Sequence, residues 1–126
     1  MACILVVEDQ PLVLRAMRII LEQAGHVVFG ARDGQECDDV LQFARPDVVV
    51  MDLFMPRRSG LEAIRVIRQG QLPCRILAVS GGDPAARTDP LALAHELGAE
   101  ATLSKPFDDG ELLQAIDGLL PERLRR

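Results

Sequence analysis

Short apolar runs alternate along this chain with stretches in which apolar residues recur every three or four positions. Cys3-Ile4-Leu5-Val6-Val7, ahead of Glu8, is continuous, brief and β-branched. Such a run predicts a strand over 3–8 that is covered on both faces. Pro11 then stands where the first turn of a helix tolerates it. Val13, Met17, Ile20 and Ala24 mark one helical stripe, which Gly25 ends. Residues 26–29 predict a second strand. Asp33-Gly34 opens a second helix through Val40, Leu41 and Ala44, closed by Pro46. Residues 47–52 predict a third strand, apolar between its terminal aspartates. After a loop with Pro56 and Gly60, residues Leu61, Ile64 and Ile67 predict a helix ending near Gly70. A fourth strand is expected over 74–79. A loop-rich stretch from Gly81 to Pro90 precedes a helix from about Asp89 to Gly98. A short strand over 101–104 and a helix over 108–120 complete the pattern.

Strands alternating with helices imply an α/β fold: a doubly wound, five-stranded parallel sheet with helices on both faces. Residues 1–120 are expected to form one domain. Residues 121–126 form a short tail, either a frayed helix end or the stub of a linker. No repeat or low-complexity tract interrupts the 126 residues.

Composition narrows the function classes. Hydrophobic residues make up 48% and charged residues 26%, ordinary for a soluble globular chain. No apolar run approaches the length of a membrane span, and Met1-Ala2-Cys3 carries no leader signature, so a cytoplasmic protein without membrane contact is expected. The net charge of −5 argues against direct binding to nucleic acid, which needs basic surface. Cys3, Cys37 and Cys74 form no C-x-x-C pair and read as reduced thiols. His26 and His95 are isolated and carry no expected catalytic role. Phe29, Phe43 and Phe107 are expected in the core.

Polar residues fall at the strand ends. Glu8 and Asp9 end the first strand, Asp52 the third, Ser80 the fourth and Lys105 the fifth. Each has an ordinary explanation alone, such as a helix-end carboxylate, a turn aspartate, a turn serine or a surface lysine. Their joint occurrence is explained poorly that way, because ligands of open α/β sheets bind at the carboxyl ends of strands. Three carboxylates held together repel and favour a cation. Mg2+ prefers such oxygen ligands, and a carboxylate is a competent covalent acceptor for a phosphoryl group. Lys105 is expected to pair with Asp52 at rest and with a phosphoryl oxygen afterwards, with the Ser80 hydroxyl donating to another oxygen.

The motifs Val6-Val7-Glu8-Asp9, Met51-Asp52-Leu53-Phe54-Met55-Pro56 with Gly60, Ser80-Gly81 and Ser104-Lys105-Pro106-Phe107 resemble, in order and spacing, the receiver domains of bacterial two-component response regulators. The resemblance covers nearly the whole chain and implies the strand order 2-1-3-4-5. It implies that Asp52 is the phosphoacceptor. Asp9, Asp52 and the backbone carbonyl of Phe54 would hold Mg2+, with Glu8 reaching it directly or through water. Ser80 would be the switch hydroxyl and Lys105 the conserved-type lysine, followed by a cis bond to Pro106. The implied partners are a sensor histidine kinase or a histidine phosphotransfer protein as donor, and a downstream protein meeting residues 89–120. Small donors such as acetyl phosphate are implied as well.

Three features depart from the family pattern. Thr102 replaces the aromatic ring usual three residues before the lysine. Phe54 is apolar where the family is often polar. The segment from Ser80 to Lys105 is a few residues longer, with Gly81-Gly82-Asp83-Pro84 suggesting a flexible loop. The alternative reading is a pseudo-receiver, an interaction module that is not phosphorylated. A phosphatase working through an aspartyl intermediate is disfavoured, because Phe54 stands where its second aspartate would be. The chain is therefore expected to act on itself rather than as an enzyme on an external substrate.

Overall fold

Strand and helix alternate from one end to the other: β1 (Cys3–Val7), α1 (Pro11–Gln23), β2 (Val27–Ala31), α2 (Gly34–Phe43), β3 (Val48–Asp52), α3 (Gly60–Gln69), β4 (Arg75–Ser80), α4 (Pro90–Leu97), β5 (Ala101–Ser104) and α5 (Asp109–Leu119), then a single 3-10 turn (Glu122–Leu124). The computed structural model describes residues 1–55, 59–81 and 89–125. Pro56 and the Gly82-Asp83-Pro84 part of the expected loop lie outside the described residues. Expected boundaries differ from observed ones by one or two residues, because cap residues look helical or extended in sequence. Asp33, Ser59, Asp89 and Asp108 are N-caps rather than helical residues, and each accepts a backbone N–H of the first turn.

All five strands are parallel, in the order β2-β1-β3-β4-β5. The period of two along each central strand divides the core in two. Ile4, Val6, Val48, Val50, Leu77 and Val79 face Met17 and Leu21 of α1 and Leu112 and Ile116 of α5. Leu5, Val7, Val49, Met51, Ile76 and Ala78 face the buried residues of α2, α3 and α4. Both faces are covered, so these strands are apolar at every position. Each buried aliphatic side chain contributes about 1.5–3 kcal/mol. The edges are held by polar links. The Cys3 N–H donates to Asp47 Oδ2 at 2.8 Å, and the Ala2 N–H donates to His26 Nδ1 at 3.2 Å. His26 is buried and has this structural partner at the end of the sheet away from Asp52.

One core expectation is overturned. Phe43 is 68% exposed, whereas Phe29 and Phe107 are half-buried against the core. Phe43 ends α2, off the Cys37–Val40–Ala44 stripe that turns inward, and its ring meets Phe29 edge to face, with centroids 5.8 Å apart.

α3 sits directly on the end of β3. The Gly60 N–H donates to Leu53 O at 3.3 Å, and a Cβ on Gly60 would collide with Asp52 O and lie 2.8 Å from Leu53 Cα. Gly60→Ala is therefore expected to destabilise the fold by about 1–3 kcal/mol in urea unfolding. Gly118→Ala, in α5 with open space around it, is expected to be neutral or to stabilise by up to about 1 kcal/mol. Equal effects of the two substitutions would refute this account of the α3 seat.

Candidate functional site

β1 lies between β2 and β3, where the strand order reverses, and the crevice at its carboxyl end is the natural ligand position of this architecture. Glu8 and Asp9 emerge there. The Glu8 N–H still donates to Ala31 O at 2.9 Å, so the ladder with β2 fixes its backbone. Asp52 is the last residue of β3, and Ser80 the last of β4. Glu8 is 1% exposed, Asp52 6% and Ser80 fully buried; Asp9 is half-buried. Glu8, Asp9 and Asp52 each offer a carboxylate oxygen within 4.8 Å of the others.

Lys105 enters from β5. Its N–H donates to Ser80 O at 2.8 Å, extending the β4–β5 ladder by one residue, and its bond to Pro106 is cis. The ammonium donates to Glu8 Oε1 at 2.9 Å and stands 3.9 Å from Asp52 Oδ2. The sequence expectation put Asp52 first; the structure puts Glu8 first. The reason lies in what else each carboxylate has. Asp52 Oδ1 accepts the Phe54 N–H at 3.2 Å, whereas Glu8 Oε2 is buried without a hydrogen-bond partner. Lys105 is also the only lysine among the 14 Lys and Arg residues of the chain.

Burial holds the Glu8 carboxyl above its usual range, with the neighbouring Asp52 carboxylate pushing it further up and the Lys105 ammonium opposing both. Burial also raises the Cys74 thiol, and burial with Asp47 raises that of Cys3, which keeps both poorly nucleophilic.

One hollow adjoins this cluster, and another lies apart from it on the α4 side of β5. The first, of about 790 Å³, runs from Asp52 between α1 and the turn after β5; Leu12, Val13, Phe54, Lys105 and Phe107 line it. Leu12 is 81% and Phe54 55% exposed. The sequence reading missed Leu12, although an apolar residue off the Val13–Met17–Ile20 stripe was a visible signal. The second, of about 400 Å³, lies between α4 and β5 and is lined by Leu91, Ala92, His95 and Thr102. Thr102 is exposed there.

A doubly wound parallel sheet with three carboxylates and an ammonium gathered at its carboxyl edge defines a class of α/β modules with a charged site at the switch point. The chain belongs to the response regulator receiver domain family: the family pattern matches residues 4–117. It is a receiver domain of two-component signal transduction. It is 32% identical over 95% of its length to protein CcdB of Bacillus subtilis, covering 98% of that protein. It is 31% identical over 93% of its length to the alkaline phosphatase synthesis transcriptional regulatory protein PhoP of Bacillus subtilis, but spans only 48% of PhoP. The structure of response regulator TrrA from Thermotoga maritima in complex with Mg(2+)-BeF superposes with a TM-score of 0.82, at 28% identity over 95% of this chain and 100% of TrrA. Among the described residues, no helix is long and apolar enough to cross a membrane.

Because the folded state disfavours ionised Glu8, its charge at neutral pH costs stability in metal-free protein. Glu8→Gln is expected to raise the melting temperature at pH 7.5 in chelator. The gain should shrink as pH falls and the folded wild type takes up the proton. No gain at pH 7.5, or a gain that grows toward acid pH, would contradict the assignment.

Proposed function

We propose that this chain is a cytoplasmic phosphoaccepting switch in which Asp52 receives a phosphoryl group from a histidine donor and Mg2+ is held by Asp9, Asp52 and the Phe54 carbonyl, with Glu8 beside it. The observation that carries the reading is the gathering of three carboxylates within 4.8 Å of one another, one of them with a buried, unpartnered oxygen (Glu8 Oε2), beside the Lys105 ammonium. An oxygen-only donor set of this charge fits Mg2+. When bound, Mg2+ would neutralise charge on a phosphoryl oxygen. The complex of TrrA with Mg(2+)-BeF supports this chemistry on a similar fold.

The chain's own residues account for the transfer. An Asp52 carboxylate oxygen attacks phosphorus, the P–N bond to the donor imidazole breaks, and its electron pair stays on the imidazole nitrogen. Lys105, 3.9 Å from Asp52 Oδ2, exchanges part of its hold on Glu8 for a phosphoryl oxygen. Ser80, at the end of the neighbouring strand, supplies a hydroxyl to another oxygen. The groove from Asp52 past Leu12, Val13 and Phe107 receives the donor, a sensor histidine kinase or phosphotransfer protein. Residues 89–120 present the changed surface to a downstream protein. The domain occupies 1–120, and the aspartyl phosphate serves signalling rather than turnover of an external substrate.

Intact mass after incubation with acetyl phosphate and Mg2+ tests the reading. Wild type is expected to gain one phosphoryl group and Asp52→Asn none. A chain that is folded yet unmodified by acetyl phosphate and by phosphohistidine donors would instead support the pseudo-receiver, the reading that exposed Thr102 favours. The exposed Phe54 ring beside Asp52 also hinders the approach of hydrolytic water. Phe54→Asn is therefore expected to lose its phosphate faster than wild type, followed by the decay of the phosphorylated mass. Equal or slower decay in the variant rejects that role.

A further inference from the structure

β5 is the weak point of the assembly that holds the site. It has four residues, pairs only with β4, and is exposed at alternate positions. Ala101 and Leu103 turn one face of the strand to the core and so favour one register, but four residues with a single partner strand give few bonds to hold it, and a slip of one residue turns every side chain to the opposite face. Lys105, at its end, would then leave Glu8 and Asp52. Further bonds that bear on this register lie at the other end of the strand.

Glu100, the residue before β5, bonds Ile76 of β4 twice. Its N–H donates to Ile76 O at 3.0 Å, and its Oε1 accepts the Ile76 N–H at 2.9 Å. The same Oε1 is held by Arg68 Nη2 at 2.6 Å, while Arg75 approaches Oε2 at 3.6 Å. Arg68 is itself immobilised by three carbonyls: Nε donates to Gly98 O at 3.0 Å, and Nη1 donates to Leu72 O at 3.1 Å and Cys74 O at 2.8 Å. These reach from α3 to the turn before β4 and the turn before β5. Gly98, at φ +118°, closes against the arginine stem, since a Cβ there would lie 2.8 Å from Arg68 Cγ. Charge-assisted bonds from all three nitrogens of a planar guanidinium hold geometry that a lysine could not reproduce.

We infer that Arg68 and Glu100 are positioning residues: from the far end of β5 they lock its register on β4 and thereby place the Lys105 ammonium between Glu8 and Asp52. The consequence for phosphotransfer rests on the function proposed above; the placement of Lys105 does not. The two are separable because Lys105 is the only lysine, so its amine is read directly.

The 126-residue wild type, Arg68→Gln, Glu100→Ala and the conservative Arg68→Lys are treated with an amine-acylating reagent, and acylation of Lys105 is followed by peptide mass. Lys105 is expected to be acylated several-fold faster in Arg68→Gln and Glu100→Ala than in wild type, with Arg68→Lys between. The Mg2+-induced rise in melting temperature should persist in all of them, because Glu8 and Asp9 follow β1 and Asp52 ends β3, away from the clamp. Phosphorylation by acetyl phosphate is then compared in a double-mutant cycle. Arg68→Gln is expected to slow it in the wild-type background and to change nothing further in Lys105→Ala. Unchanged acylation in Arg68→Gln and Glu100→Ala, or equal slowing with and without Lys105, overturns the inference. If wild type accepts no phosphate, the functional reading fails and the acylation rates alone decide the clamp.

Discussion

Among the described residues, one ammonium stands between two buried carboxylates, and the site depends on keeping it there. Glu8 and Asp52 are removed from water by the same packing that makes β1 and β3 the centre of the sheet. Buried carboxylates this close are costly, and only a cation or a proton relieves them. Lys105 relieves one oxygen of Glu8 and leaves the other without a partner. The cluster is thus half-compensated, which is the condition in which an added cation gains most.

The fold was legible because its cause is local. A parallel sheet covered on both faces demands strands that are apolar at every position, and Leu5-Val6-Val7, Val48–Met51 and Ile76–Val79 are such strands. The site residues were legible for a related reason: where a strand is apolar throughout, a polar residue at its end stands out, as Glu8, Asp52 and Ser80 do, whereas Lys105 follows the half-polar β5 and stands out as the single lysine of the chain.

What stayed illegible depends on distances that no local pattern encodes. Whether Lys105 meets Glu8 or Asp52 first is settled by which carboxylate has another donor, and that required the Phe54 N–H to be seen on Asp52. The exposure of Phe43 follows from where α2 ends relative to its own buried stripe. Arg68 and Glu100 read in sequence as ordinary charged residues at a helix end and in a turn. Only the fold brings 68 and 100 together and reveals that the pair bonds backbone both around the start of β4 and in the turn before β5. Thr102 leaves a hollow whose meaning depends on what else α4 touches.

The sheet also gives the domain a polarity. The amino end is tied to His26 and Asp47 at the start of the strands, and Leu119, Leu120 and Arg125 share a groove with Asp47 and Arg75 at that same end. Both ends of the chain therefore lie a full strand length, about 17 Å at roughly 3.3 Å per residue, from the edge that carries Asp52. A fusion made at either end would begin on the opposite side from the acidic cluster and leave the approach to it open. Such a module can be joined to unrelated partners in either order without redesign of its chemistry, as a plug can be wired to different appliances from the back.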